Sequence, residues 1–204
     1  MNYKLAYTIG FHPWEDAEKQ PAFNERFTEL LEREESGRER PYGPALDIGT
    51  GSGTWGIRLA ERGWQVVGID IVEKALERAR ERIQSSGVEM RVMREDVTAL
   101  RPESVGSDFK LILDTGTFHG LTEAERRAMG REISAIADDD ATVLMLAWSR
   151  KRRGPLPRGA DRGAIEAAFP GWTAMELGTT GFEAPKPVEL LLRPNERWYR
   201  LHRR

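Results

Sequence analysis

From Ala45 onward the chain alternates short apolar runs with stretches in which apolar residues recur at helical spacing. That alternation predicts strands and amphipathic helices in turn, wound into an α/β domain with a mostly parallel sheet. Strands are expected at 45–49 (ALDIG), 65–71 (QVVGIDI), 88–93 (VEMRVM), 109–114 (FKLILD) and 141–148 (ATVLMLAW). The second has an uninterrupted apolar centre, as suits a strand covered on both faces. Helices are expected at 54–62, stopped by Gly63, and at 73–85, where Ala75, Leu76, Ala79 and Ile83 form one apolar stripe. Thr122 can cap a further helix running to about Ala137, with Glu125 placed to complete a capping box. A helix over 161–169 follows, then strands near 172–178 and 196–202. The prolines of 183–187 make the segment between those strands loop or edge structure. The count is seven strands.

The first forty residues stand apart: an aromatic-bearing stretch, then a helix over 21–33. We read 1–40 as a lid segment on a single domain formed by 41–204. A chain of 204 residues holds one α/β domain with a substantial core and is too short for two ordinary ones. Apolar residues make up 39% and charged residues 31%, a globular balance. No apolar run approaches the roughly 20 residues of a membrane span, and the N-terminus lacks a secretory pattern, so a cytoplasmic protein without a membrane partner is expected. With 31 basic against 33 acidic residues, the net charge of −2 gives no general attraction to nucleic acid. The dense basic run Arg150, Lys151, Arg152 and Arg153 is read as a solvated loop. The absence of cysteine excludes disulfides, thiolate nucleophiles and cysteine-based zinc sites. Three scattered histidines, His12, His119 and His202, form no ligand spacing, and no metal is expected.

The strongest chemical signal is Asp47-Ile48-Gly49-Thr50-Gly51-Ser52-Gly53, between the first strand and its helix. Glycines here let the backbone approach a nucleotide-like ligand that a Cβ would hold off. Asp70 closes the second strand, where a carboxylate can accept from both ribose hydroxyls. Asp96 closes the third, within reach of an adenine amino group. Three strand ends thus converge on one nucleoside at the carboxyl edge of the sheet. Gly51-x-Gly53-x-x-Gly56 also fits the fingerprint of a nicotinamide dehydrogenase, which keeps an oxidoreductase as an alternative. Asp47 argues against it, because its charge would repel a pyrophosphate but could orient a cationic amine. A non-catalytic module that merely retains the fold is a further alternative, although it would have no physical need for all three acids.

DIGTGSGTWGIRLAERGWQVVGIDIVEKALERAR, with EDV and LILDTGTFHGL downstream, resembles the class I S-adenosylmethionine-dependent methyltransferases, well over about 40–150 and more loosely in the tail. Within that class it is most similar to small bacterial enzymes grouped with thiopurine and tellurite-resistance methyltransferases, including ones that methylate heterocyclic toxins. The resemblance implies a Rossmann-like doubly wound sheet whose seventh strand (ERWYRLHR) runs antiparallel. It also implies that Pro13-Trp14-Glu15 folds over cofactor and substrate. Carried over by position, Asp47 with Gly49, Thr50, Gly51 and Gly53 would hold the methionine part of S-adenosylmethionine. Asp70 would hold the ribose, with Ile71 packing on adenine and Asp96 with Val97 at its edge. Asp114 and Thr115 would lie near the amine or sulfonium. Many relatives have cysteine where Thr50 stands, a position expected to contribute mainly backbone.

On the acceptor side, His119 is the histidine expected near the methyl group, as a base or as a group that positions the acceptor. His12 could reach in from the lid, whereas His202 is expected at the surface. Tyr7, Phe11 and Trp14 in the lid, with Phe118 and Trp148 at strand ends, could stack a flat aromatic or heterocyclic acceptor and exclude water. Trp55, Trp64, Trp172 and Trp198 are expected to be packing residues. No Asn-Pro-Pro-Tyr-type tetrapeptide follows strand four, where Asp-Thr-Gly-Thr stands instead. The expected partner is therefore a small-molecule methyl acceptor.

Overall fold

The computed structural model describes residues 19–148, 159–181 and 196–204. Seven strands form one sheet in the order β3-β2-β1-β4-β5-β7-β6. They are β1 (Gly43–Ile48), β2 (Trp64–Asp70), β3 (Met90–Arg94), β4 (Phe109–Asp114), β5 (Ala137–Trp148), β6 (Trp172–Thr179) and β7 (Glu196–Arg203). The helices are α1 (Pro21–Glu35), α2 (Thr54–Arg62), α3 (Glu73–Ser86), α4 (Pro102–Val105), α5 (Glu123–Ile136) and α6 (Arg162–Ala168), with a 3-10 turn over Phe118–Gly120. Strands β1 to β5 pair in parallel, and β7 runs antiparallel between β5 and β6.

The sequence pattern becomes two layers because successive side chains of a strand face opposite ways. From β1 and β5, Leu46, Ile48, Val143, Met145 and Ala147 enter one core with Met129, Ile133 and Ile136 of α5 and Ile165 of α6. Ala45, Leu144 and Leu146 face the other, with Phe23, Phe27, Leu30 and Leu31 of α1 and Trp55 and Leu59 of α2. Helix α1 is therefore a packed layer of the domain: Phe27 lies 4.9 Å from the Trp55 ring and 5.8 Å from that of Trp198. Residues 1–18, the rest of the expected lid, fall outside the described residues, as do Pro13-Trp14-Glu15 and the basic run at 150–153.

Most predicted boundaries agree within two residues, and β4 agrees end to end. Thr122 caps α5 with the full capping box to Glu125. Two elements depart from expectation. Strand β5 begins at Ala137, four residues early, because the polar stretch Asp138-Asp139-Asp140 continues the strand with little apolar signal. Pro102–Val105, in the interval between the third and fourth expected strands, turns once as a helix with proline in its first turn. Among the described residues no helix is long and apolar enough to cross a membrane.

Candidate active site

The parallel registers bring Ile48, Ile69, Asp114 and Met145 level with one another. The loops that follow β1, β2, β3, β4 and β5 consequently share one edge of the sheet, the carboxyl edge at which open α/β sheets bind ligands.

The turn after β1 is docked onto β2. Thr50 N–H donates to Ile69 O at 2.9 Å, and Gly51 N–H to Asp70 Oδ2 at 3.0 Å. Gly49 has φ +64°, and a Cβ there would collide with Thr117 Oγ1 of the β4 loop. Gly53, at φ +83°, is the N-cap residue of α2. Glycine is thus required both by the left-handed backbone and by the close approach of two loops.

Asp47 lies beneath this turn, 0% exposed. Thr50 Oγ1 donates to Asp47 Oδ2 at 2.6 Å, so the Thr50 side chain contributes directly and not only the backbone. Asp47 Oδ1 is buried with no hydrogen-bond partner. Burial, chiefly, pushes the Asp47 carboxyl up to about 7; the nearby charges of Asp70 and Asp114 add to this, while the Thr50 hydroxyl and the Gly56 amide oppose it. Asp70 accepts Gly51 N–H through one oxygen and Val72 N–H, at 2.8 Å, through the other; burial raises its carboxyl against those bonds. Next to it Ile71 is 46% exposed, one of two exposed large apolar side chains among the described residues.

Asp114, expected near an amine or sulfonium, is engaged by the backbone of its own loop. Its Oδ1 accepts Gly116 N–H (2.9 Å) and Thr117 N–H (2.6 Å), and its Oδ2 accepts Phe118 N–H (2.9 Å). It is fully buried and shapes its own loop, with burial lifting the carboxyl to about 6. Thr115 beside it is half-buried. Asp96 is exposed, its Oδ1 taken by the backbone and hydroxyl of Thr98, and Val97 is buried in the core.

Phe118 and His119 are adjacent in one 3-10 turn and go separate ways. Phe118 is 0% exposed and packs 6.0 Å from the Phe169 ring, so its expected contact with an acceptor is corrected to core packing. His119 stacks on Trp148 with ring centroids 5.4 Å apart and planes 24° from parallel. Its Nδ1 accepts the Trp148 backbone N–H at 3.4 Å. The Trp148 indole N–H donates to Glu196 Oε1 at 2.6 Å, and Thr180 Oγ1 donates to Glu196 Oε2 at 3.2 Å. Buried Arg126 fastens this corner by donating to the carbonyls of Phe118, His119 and Gly159. Glu196, Thr180 and Arg126 were not anticipated as site residues. Of their contacts only those of Arg126 with Phe118 and His119 lie close in sequence, so a pattern search had little to find for the others.

Tyr7, Phe11, His12 and Trp14 lie outside the described residues. Trp55, Trp64, Trp172 and Trp198 are buried packing residues, as expected. His202 is partly buried on β7 between Thr142 and Thr173 rather than at the surface, which places it well away from the carboxyl edge.

Residues 45–140 match the family described as a methyltransferase domain. An uncharacterized methyltransferase from Schizosaccharomyces pombe is 27% identical over 95 residues, or 47% of this chain; the chain spans 64% of that relative's length. N-methyltransferase NodS from Bradyrhizobium japonicum, solved with S-adenosyl-L-homocysteine, superposes with TM-score 0.71 at 18% identity, covering 94% of this chain and 91% of NodS. An S-adenosylmethionine-dependent methyltransferase from Clostridium acetobutylicum gives TM-score 0.70 at 11% identity, covering 97% and 98%. These structures share the fold of this chain, and residues 45–140, 96 of its 204, match the methyltransferase-domain family. S-adenosylmethionine is the cofactor on which the Clostridium protein depends.

The residues present fit that cofactor. An orphaned, buried Asp47 oxygen beneath a glycine turn suits a cationic amine. Asp70 at the rim suits a ribose, and exposed Ile71 offers an apolar face for a base.

Proposed function

We propose that this protein transfers a methyl group from S-adenosylmethionine to an O, N or S atom of a small, flat aromatic or heterocyclic molecule. The observation that carries the acceptor half is the His119–Trp148 stack at the ends of β4 and β5, next to the loop that touches the glycine turn. A ring pair held by side-chain and backbone hydrogen bonds is a rigid platform for another flat ring. The lid reading of residues 1–18, with Tyr7, Phe11 and Trp14 over the acceptor, belongs to the same proposal. So does the kinship with the thiopurine, tellurite and heterocyclic-toxin enzymes.

The cofactor, when bound, supplies a methyl group on a sulfonium that leaves as a neutral thioether. The chain's own part is to hold and to exclude. The glycine turn and Asp47 fix one end of the cofactor, and Asp70 with Ile71 fixes the other. The aromatic corner places an acceptor lone pair in line with the methyl carbon, where orientation supplies most of the rate.

Calorimetric titration with S-adenosylmethionine, S-adenosylhomocysteine and NAD tests the cofactor half. Micromolar binding of the first two without the third is expected, and binding of NAD alone would refute the reading. A screen of flat heterocycles, read by mass spectrometry for methylated product, then tests the acceptor half.

A further inference from the structure

We propose that S-adenosylmethionine, on binding, expels a proton from Asp47, and that Thr50 is the positioning residue that reserves Asp47 Oδ1 for the ligand's ammonium. The inference rests on the cofactor reading above and adds a pH control to the same site.

Three acids gather at the ends of β1, β2 and β4, and their oxygens are not equally served. Both oxygens of Asp70 accept backbone N–H groups, from Gly51 and Val72, and both of Asp114 do so, from Gly116, Thr117 and Phe118. Asp47 differs. Its Oδ2 accepts the Thr50 hydroxyl at 2.6 Å, whereas its buried Oδ1 has no hydrogen-bond partner. A buried carboxylate oxygen without a donor is costly, and a proton on it removes the charge.

The remaining surroundings are apolar or acidic. Gly68 of β2 and Leu113 of β4 flank Asp47 in register. Gly56 of α2 lies so close that a Cβ there would stand 2.9 Å from Oδ2, with Met90 of β3 beside it. The titratable groups that act on Asp47 are Asp70 and Asp114, whose negative charges oppose a third. On α3, Arg82 donates to Ser52 and Thr54 of the glycine turn, at 3.2 and 2.9 Å. Burial is the largest influence and holds the Asp47 carboxyl up, to about 7, against the Thr50 hydroxyl and the Gly56 amide.

Thr50 decides which oxygen carries the proton. Its hydroxyl donates to Oδ2, so a proton there would force the hydroxyl to turn round, and Oδ1 is left as the protonated atom. The threonine has little room to move. Its N–H is held by Ile69 O at 2.9 Å, and a Cβ on Gly68 would stand 2.8 Å from Thr50 Oγ1. When an ammonium reaches Oδ1, the Asp47 O–H bond breaks and the proton passes to solvent. The carboxylate then accepts an ammonium N–H in its place. One positive charge replaces another, so the pair formed in the buried site is neutral.

The test is calorimetric titration of the full chain with S-adenosylhomocysteine, which carries the same ammonium, in buffers of different ionisation enthalpy. At about pH 6, below the Asp47 value, close to one proton should be released per ligand bound, and at about pH 8 almost none. Kd should weaken by up to about tenfold for each pH unit below that value. Asp47→Asn should abolish both the release and the slope. Thr50→Val, close in shape but without the donor, should move the midpoint of the Kd–pH curve upward, and Thr50→Ser should restore it. A packing role would change Kd at every pH and leave the midpoint in place, and that outcome would overturn the role of Thr50. Binding without proton release at about pH 6, or release that persists in Asp47→Asn, would overturn the inference while the cofactor reading stands. No binding of S-adenosylhomocysteine at any pH would sink the cofactor reading itself, and the inference with it.

Discussion

Two groups of carboxylates withdrawn from solvent, one on helix α1 and one at the carboxyl ends of β1, β2 and β4, are treated in opposite ways. On the α1 side, Glu34 receives a two-point contact from Arg200, at 2.7 and 2.9 Å, and Glu35 is bound by Arg62 and by the Trp64 indole N–H. Every charge there has a countercharge, and the effect is to tie α1 to β7 and α2. At the strand ends, Asp47, Asp70 and Asp114 receive only backbone and hydroxyl donors, and burial raises all three. Evenly matched ion pairs mark architecture, whereas buried acids with no cation of the protein's own among the described residues are the places where a cationic ligand would be accommodated.

The largest expected effect breaks the paired side. Arg200→Met leaves Glu34 buried without its guanidinium and should cost about 3 kcal/mol of stability in urea denaturation. Glu34→Gln added to it should return part of that loss.

Next comes the pH dependence of the unpaired side. An acid whose folded pKa is raised keeps its proton in the folded state where the unfolded chain has already lost its own. For Asp47 that window runs from 3.8 to about 7. The folded state binds more protons within it, so the ligand-free protein should lose about 1.4 kcal/mol of stability for each pH unit climbed within the window. Asp47→Asn should flatten that slope, and a slope identical to the parent's would remove Asp47 as its source.

Asp47→Asn should also weaken S-adenosylhomocysteine by about 1.5–2 kcal/mol, roughly tenfold or more in Kd. Calorimetry checks this, and an unchanged Kd would detach Asp47 from the amine. Glu196→Gln should be mildest, about 1 kcal/mol, because the glutamine oxygen can still accept from Trp148 once the charge is gone. Thermal unfolding would register the loss, and a raised KM for the acceptor with kcat kept would locate it at the aromatic corner.

The same contrast explains what could be read in advance. The glycine turn and the acids at the strand ends were legible because they follow one another: Asp47 to Gly53 in a single turn, then Asp70 one strand on. What Asp114 does was not legible, since its position is set by the strand while its partners depend on how the next four residues curl. Phe118 and His119 illustrate the limit most sharply, because a 3-10 turn decides which of two adjacent rings enters the core. Glu196 is 48 residues from Trp148, and only the antiparallel register of β5 and β7 makes them neighbours. The acids that open β5 concealed a strand because they fall in an irregularity between the pairings of Ala137 with Phe109 and of Thr142 with Leu111, which side-chain pattern does not report.

The placement of β7 has a temporal side as well. Among the described residues strand β6 pairs with β7 alone, which separates it from β5. During synthesis β6 emerges first and has nothing to pair with until residues 196–203 follow. Arg200, on that late strand, is also the partner of Glu34 on α1. Helix α1 therefore stays without this charge partner until β7 arrives, and a ribosome stalled short of residue 196 would hold a chain with an open sheet edge at β5.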